Sequence, residues 1–287
     1  MTKANVKKHS TKNSISNASV YAVLIIISIV WLLPFVYLIF QAFRGESRSM
    51  VNYVLPKEWS LSNFEILFTE TKFLNWYLNT FIIALFTACI QTVFVLSVSY
   101  ALSRIRFRGR KLLMNIILIL GMFPGFLSMI AVYFILKLIG FTGPGSVPGL
   151  ILVYVGSSGM GYYIAKGFFD TIPRSLDEAA RIDGASRARV FFKIIVPMSK
   201  PIIIYTVLMA FMAPWGDYMF ASLISFGYEE AYNVAVGLFT FLDREHINNY
   251  FTVFCAGGLL VAVPITILFM MLQKYYVEGI TGGAVKG

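Results

Sequence analysis

"RSLDEAARIDGASRARVFFKIIVPMSKP", residues 174–201, sets nine charged side chains between two apolar runs, in a chain of 287 residues that is 58% hydrophobic and 13% charged. At about 3 kcal/mol per charge at the bilayer centre, burying the ten ionisable groups of 169–200 in lipid would cost on the order of 30 kcal/mol, so the stretch lies outside the membrane. Its local signals still agree on order. Ser175 and Glu178 have the spacing of an S-x-x-E capping box, which predicts a helix start, and Gly184 stands where a left-handed cap would end that helix. A second helical stretch is expected from Ser186 to Pro197, whose missing N–H stops it. Val190, Phe191, Ile194 and Ile195 share one face of that stretch, so it should lie along the membrane surface or pack under the bundle. The first helix is different: Leu176, Ala179 and Ala180 form a shallow apolar face flanked by Asp177, Glu178, Arg181 and Asp183. Such a face fits a socket on another protein.

Outside this stretch the composition is that of an integral membrane protein, with mean hydropathy +0.74. A window of about 19 residues finds six candidate spans, near 20–42, 77–102, 112–137, 147–168, 202–225 and 251–272. The expected class is therefore all-α, a polytopic membrane bundle of six transmembrane helices. Residues 1–19 form a basic leader, 43–76 a loop on the far side, 77–272 the core with the polar loop 169–200, and 273–287 a tail. The first apolar run is too long for the h-region of a signal peptide and no small-residue cleavage site follows, so it should remain as a helix. Lys and Arg number seventeen on the face bearing both termini and the quoted stretch, against five on the other. That bias places both termini and the polar loop in the cytoplasm. The formal charge of +10 reads as anchoring to anionic lipid, with no basic face left over for nucleic acid.

The residues exclude several activities. No G-x-x-x-x-G-K-[ST] phosphate loop occurs, and "GGAVKG" (282–287) lacks both its spacing and its hydroxyl residue. His9 and His246 fall on opposite sides of the membrane, and no cluster of His, Cys and carboxylates appears, so neither a metal site nor a catalytic constellation is expected. Cys89 and Cys255 lie within apolar runs and read as small hydrophobes. An ion-coupled carrier would need paired midplane charges and inverted repeats, which are not evident. Among polar residues within the spans, Asp217 stands out. It either pairs with a neighbouring helix or interfacial water, or lines a transport path with Trp215 and Tyr218; Gln91 has the same two readings. "GMFPGF" (121–126) and "GSSGMGYY" (156–163) are hinges or sites of close packing, with a kink favoured at Pro124 and packing at 156–161.

"EAARIDGASRARVFFKIIVP" resembles the EAA loop of the membrane subunits of bacterial ATP-binding-cassette importers, a pattern of Glu-Ala-Ala, three residues, Gly, nine residues and Ile-x-Leu-Pro. Glu178, Ala179, Ala180, Gly184, Ile194 and Pro197 match, and Val196 replaces the leucine. "LPKEWSLSNF" (55–64), "NWYLNTF" (75–81), "YALSRIRFRGR" (100–110) and "FFDTIPRSLDEAA" (168–180) are similar to the carbohydrate-uptake branch, while "YNVAVGLFTF" (232–241) and "QKYYVEGITGGAVKG" (273–287) are similar to the second membrane subunit of maltose and maltodextrin importers. The resemblance implies a type I importer transmembrane fold in the bacterial plasma membrane, forming half of a translocation pathway for an oligosaccharide. It also implies four kinds of partner: a homologous membrane subunit, a dimer of ATPase subunits that bind ATP and Mg, an extracellular solute-binding protein, and the lipid bilayer. No cofactor is implied in this chain. Coupling to the ATPase falls by this resemblance on Leu176, Glu178, Ala179, Ala180, Asp183, Gly184, Ile194 and Pro197. A further ATPase contact falls on the tail at Gly282, Gly283 and Lys286, which the residues alone would leave as a frayed, glycine-rich terminus. The resemblance points to maltose or maltodextrin and leaves galacto-oligosaccharides, other saccharides and glycerol phosphate open.

Overall fold

The computed structural model describes residues 3–122 and 125–284, with side chains for 19–122, 125 and 127–274. Its regular structure among the described residues is helical. Among the described residues the only extended pairing is an isolated antiparallel bridge between Arg44 and Trp59.

Helix α1 (Lys3–Ala42) is followed by α2 (Ser62–Thr69), α3 (Phe73–Arg104), α4 (Arg110–Met122), α5 (Gly125–Leu138), α6 (Ser146–Gly156) and α7 (Gly159–Thr171). Next come the short α8 (Arg174–Ile182) and α9 (Arg187–Val190), then α10 (Val196–Met198), α11 (Lys200–Gly216), α12 (Met219–Ser225), α13 (Val234–Phe239) and α14 (Ile247–Ala284). Three helices are individually long and apolar enough to cross a membrane, within α1, α3 and α14, and three bent pairs bring the number to six. The chain is thus a multi-pass helical membrane protein.

The bent pairs alter the expected spans. α4 and α5 meet at 105°; the kink expected at Pro124 lies outside the described residues. α6 and α7 bend by 41° at Ser157–Ser158, where simple packing had been expected. Each serine hydroxyl donates back into the preceding turn, Ser157 to Val153 O at 2.8 Å, which also accepts from Ser157 N at 2.8 Å, and Ser158 to Val155 O; such back-bonding often accompanies a bend in a helix. Packing is also present, since a Cβ on Gly161 would stand 3.4 Å from Val95. The fifth span is interrupted as well: α11 ends at Gly216 and α12 begins at Met219.

α3 is the central element, packed against α6, α7 and α11, while α1 lies along α14. Of three apolar cores among the described residues, one around Ile83, Leu150 and Ile224 joins α3, α6 and α12, and two others sit towards the two ends. Near α8, Val95, Leu96, Ala165, Phe169 and Ile172 enclose Val190 and Ile195. At the opposite end Trp76, Trp215, Val234, Leu238, Phe241 and Phe251 pack together. This second core has an obligatory glycine. A Cβ on Gly237 would stand 2.1 Å from the Trp76 ring, and that ring is 2% exposed and held by its Nε1 donating to Glu229 O at 3.1 Å. Gly237→Ala should therefore cost about 2 kcal/mol by overpacking. A thermal unfolding midpoint in detergent equal to that of the wild type would contradict this.

Candidate functional site

The polar stretch at 174–201 forms two short helical pieces beneath the bundle. α8 begins with Pro173 at its N-cap and makes no side-chain cap. The expected capping box is not formed: Ser175 already lies inside the first turn, because Pro173, fixed near φ −57°, takes the position at which a capping side chain would act. The end of the helix is as expected. Gly184 has φ +82°, Gly184 N donates to Arg181 O at 3.1 Å, and Ala185 N donates to Ala180 O at 2.9 Å. These are the paired bonds of a Schellman cap, which needs a residue free to adopt positive φ.

α8 turns most of its surface outward. None of its residues is buried; Leu176, Glu178, Ala179, Asp183 and Gly184 are exposed, and Ala180 is half-buried against the core below. Ser186 caps the second piece, accepting from Arg189 N at 3.2 Å. That piece does not stop at Pro197. A π-turn at Phe191–Ile195 precedes it, with Val196 N donating to Phe191 O, and the helix runs on to Met198. The wider turn shifts the register where proline can donate nothing. Val190 and Ile195 are buried under the bundle and Ile194 packs beside them, so of the two placements expected for this face the structure selects packing.

An electrostatic seam joins α8 to the bundle. Arg104, the last residue of α3, is 5% exposed at its side chain and places Nε 3.1 Å from Asp177 Oδ2. Its Nη2 donates to Ile172 O at 2.8 Å. Arg174 Nη2 donates to Ser103 O at 3.3 Å, Ser103 Oγ donates to Asp170 Oδ1 at 2.6 Å, and Asp170 is bridged by Lys166. Beside the seam lies an open cavity of about 360 Å³ lined by Tyr100, Arg104, Arg174, Asp177, Glu178 and Arg187, among others. Sequence reasoning missed this arrangement, counting Arg104 only among the membrane-surface cations. Nothing in its sequence neighbourhood sets Arg104 apart from Arg106, Arg108 or Arg110.

The residues considered for a transport path separate into different environments. Asp217 sits in the break between α11 and α12, where Oδ2 accepts from Tyr154 OH at 2.6 Å and Oδ1 from Phe220 N at 3.0 Å. It is thus bound to a neighbouring helix and caps the next one. Asn233 closes the same break, donating to Pro214 O at 3.1 Å and Asp217 O at 2.8 Å. Trp215 does not face a path: it is 3% exposed and packs edge-on to Tyr77 at 5.2 Å. Tyr218 is 38% exposed, with its ring 4.1 Å from that of Phe239. Gln91 is half-buried on α3. At the C-terminus α14 continues through Gly282 and Gly283 to Ala284, in place of the flexible tail that the glycines suggested; Lys286 lies outside the described residues.

A multi-pass bundle that presents a capped, outward-facing helix on a polar loop between two spans is the arrangement of a transport permease. Residues 93–282 match the family described as binding-protein-dependent transport system inner membrane component, and the chain belongs to that family. It is 38% identical to the maltodextrin transport system permease protein MdxG of Bacillus subtilis, over 97% of this chain and 99% of the relative. It is 35% identical to the galactooligosaccharides transport system permease protein GanQ of the same organism, over 93% and 94%. Its fold matches a solved chain of a bacterial ABC transporter involved in the import of the acidic polysaccharide alginate, with TM-score 0.76 at 22% identity, covering 92% of this chain and 98% of that one.

Proposed function

We propose that the chain is one of two membrane subunits of an ATP-driven importer for maltodextrin-like oligosaccharides, and that α8 is its coupling helix, seated in a cleft of a cytoplasmic ATPase subunit. The observation that carries this reading is α8 itself: a rigidly capped helix with no buried residue that leaves Leu176, Glu178 and Ala179 free for a partner. The Lys and Arg bias puts α8 and both termini in the cytoplasm. ATP and Mg are bound by the ATPase dimer, and a solute-binding protein delivers the sugar to the opposite face. Ile194 and Pro197 belong to the same coupling loop, in the helical piece that follows α8, and Gly282, Gly283 and Lys286 are a further contact with the ATPase. An ATPase biases the inward and outward states only through contacts that differ between them, and α8 is where such contacts form.

A photo-crosslinker at Ala179 in living cells should capture an ATPase subunit; capture of no ATPase would overturn the coupling reading. Glu178→Lys reverses a charge on an exposed position near the helix start. It should lower transport about tenfold, a coupling loss within the usual range, with membrane accumulation unchanged. Uptake of labelled maltotriose at the wild-type rate would contradict it. The relative named for galactooligosaccharides favours a second substrate reading. Competition by galacto-oligosaccharides stronger than by maltotriose, in vesicles holding the complete complex, would replace the first substrate with the second.

A further inference from the structure

We propose that Arg104 is a positioning residue: through its pair with Asp177 it fixes α8 to α3, so that a displacement of α8 becomes a displacement of α3. The inference rests on α8 being the ATPase-docking element.

α8 has almost no apolar attachment of its own. It buries no residue, and only Ala180 reaches the core beneath. What holds it is polar, and most of those contacts end on the last turns of α3. Arg104 takes Asp177 of α8 and Ile172 O on the near side of Pro173, Arg174 of α8 takes Ser103 O, and Tyr100 OH donates to Arg187 O at 3.4 Å at the start of α9. The angle at Arg104 Nε leaves that nitrogen without a formal hydrogen bond despite the 3.1 Å approach, so the attraction to Asp177 is chiefly that between charges. With side-chain exposures of 5% and 15% the pair has little water, and loss of one member would strand the other.

α3 is suited to carry what Arg104 delivers. Of the three long helices it alone has neither proline nor glycine, whereas α1 contains Pro34 and α14 contains Pro264. Its 32 residues reach about 48 Å at 1.5 Å per residue. Its far end is tied as firmly as the near one. Lys72 bridges Glu229 at 2.9 Å and Glu230 at 2.8 Å, Asn79 donates to Tyr232 O at 3.0 Å, and Thr80 Oγ1 accepts from Val234 N at 2.7 Å. The two carboxylates, Glu230 foremost, hold the Lys72 ammonium protonated above its ordinary range. One unbroken helix thus joins α8 to the segment 229–234 on the opposite face.

The test uses the complete complex in proteoliposomes, comparing Arg104→Gln, Asp177→Asn and the double-neutral variant. Each should co-purify with its ATPase, while stimulation of ATP hydrolysis by sugar-loaded binding protein falls about tenfold and more ATP is consumed per sugar moved. The double variant should be no worse than either single one, because the pair acts as a unit. It also leaves no stranded charge, so it reports on coupling even where Arg104→Gln fails to accumulate. Wild-type stimulation and stoichiometry in the double variant would overturn the role of Arg104. Failure of the wild-type chain to co-purify with any ATPase would instead overturn the function proposed above.

Discussion

Replacing Arg44 by methionine should destabilise the loop at 43–61 by about 4 kcal/mol, the typical cost of removing one member of a buried ion pair. Arg44 is 1% exposed. Its guanidinium bridges Glu46, donates to Gln41 Oε1 at 3.0 Å and to the carbonyls of Tyr53 and Val54 at 3.0 and 2.9 Å, and lies 4.5 Å above the Tyr53 ring. Methionine fills the volume but takes the guanidinium donor from Gln41 Oε1 and two carbonyls, and leaves Glu46 with its backbone donors but no counter-charge. The same clamp predicts a pH response. Burial alone would raise the Glu46 carboxyl, but the N–H groups of Lys57 and Glu58 together with Arg44 outweigh it and bring the group from 4.5 to about 2. A depressed carboxyl contributes stability that is complete above 4.5 and is lost as pH falls towards 2. Proteolysis of reconstituted protein from the loop side should accelerate in Arg44→Met at neutral pH, and in the wild type only under strong acid. Equal cleavage rates at neutral pH would disprove the clamp.

Gly184→Val should sharply impair function. Nothing lies within 4 Å of a Cβ at this position, so there is no clash; the cost comes from φ +82°, which for a residue with Cβ is about 1–2 kcal/mol and worse with β-branching. That is enough to open the Schellman cap and let the last turn of α8 unwind. The complex should assemble in the membrane, while sugar-stimulated ATP hydrolysis falls about tenfold, the factor that 1.4 kcal/mol represents. Stimulation at the wild-type level would show that the end of α8 is not read by the ATPase. Gly184→Asn provides the internal control, since asparagine tolerates the left-handed region and should keep most of the coupling.

The positions of these two effects in the chain were legible to different degrees. Gly184 was readable because a helix cap is a local event: the residues that require positive φ lie within one turn. The apolar spans were readable for the same reason, since about 20 consecutive apolar residues satisfy a bilayer wherever their neighbours are. Even locally the reading had limits. The S-x-x-E spacing at 175–178 is a valid cap signal, but Pro173 claimed the N-cap first. Pro197 is a valid stop signal, but the π-turn at Phe191–Ile195 carried the helix past it. The clamp at Arg44 was not readable at all, because its acceptors at Tyr53 and Val54 lie in a loop without periodicity.

By itself, the amino-acid sequence determined that this protein is a helical membrane bundle and that a short helix ending at Gly184 lies within 174–201, since both follow from the properties of short contiguous segments. The tertiary structure alone decided how that helix is held. Arg104 is charged and, by its sequence neighbourhood, indistinguishable from Arg106, Arg108 or Arg110. Only the folding of α3 against the segment some seventy residues later brings Asp177 to 3.1 Å and turns one surface cation into a buried tie. Likewise Trp215 and Asp217, two residues apart, go to an apolar core and to a polar break. The physical reason is that local propensity acts through nearest neighbours, whereas ion pairing and close packing depend on which distant surfaces exclude water together.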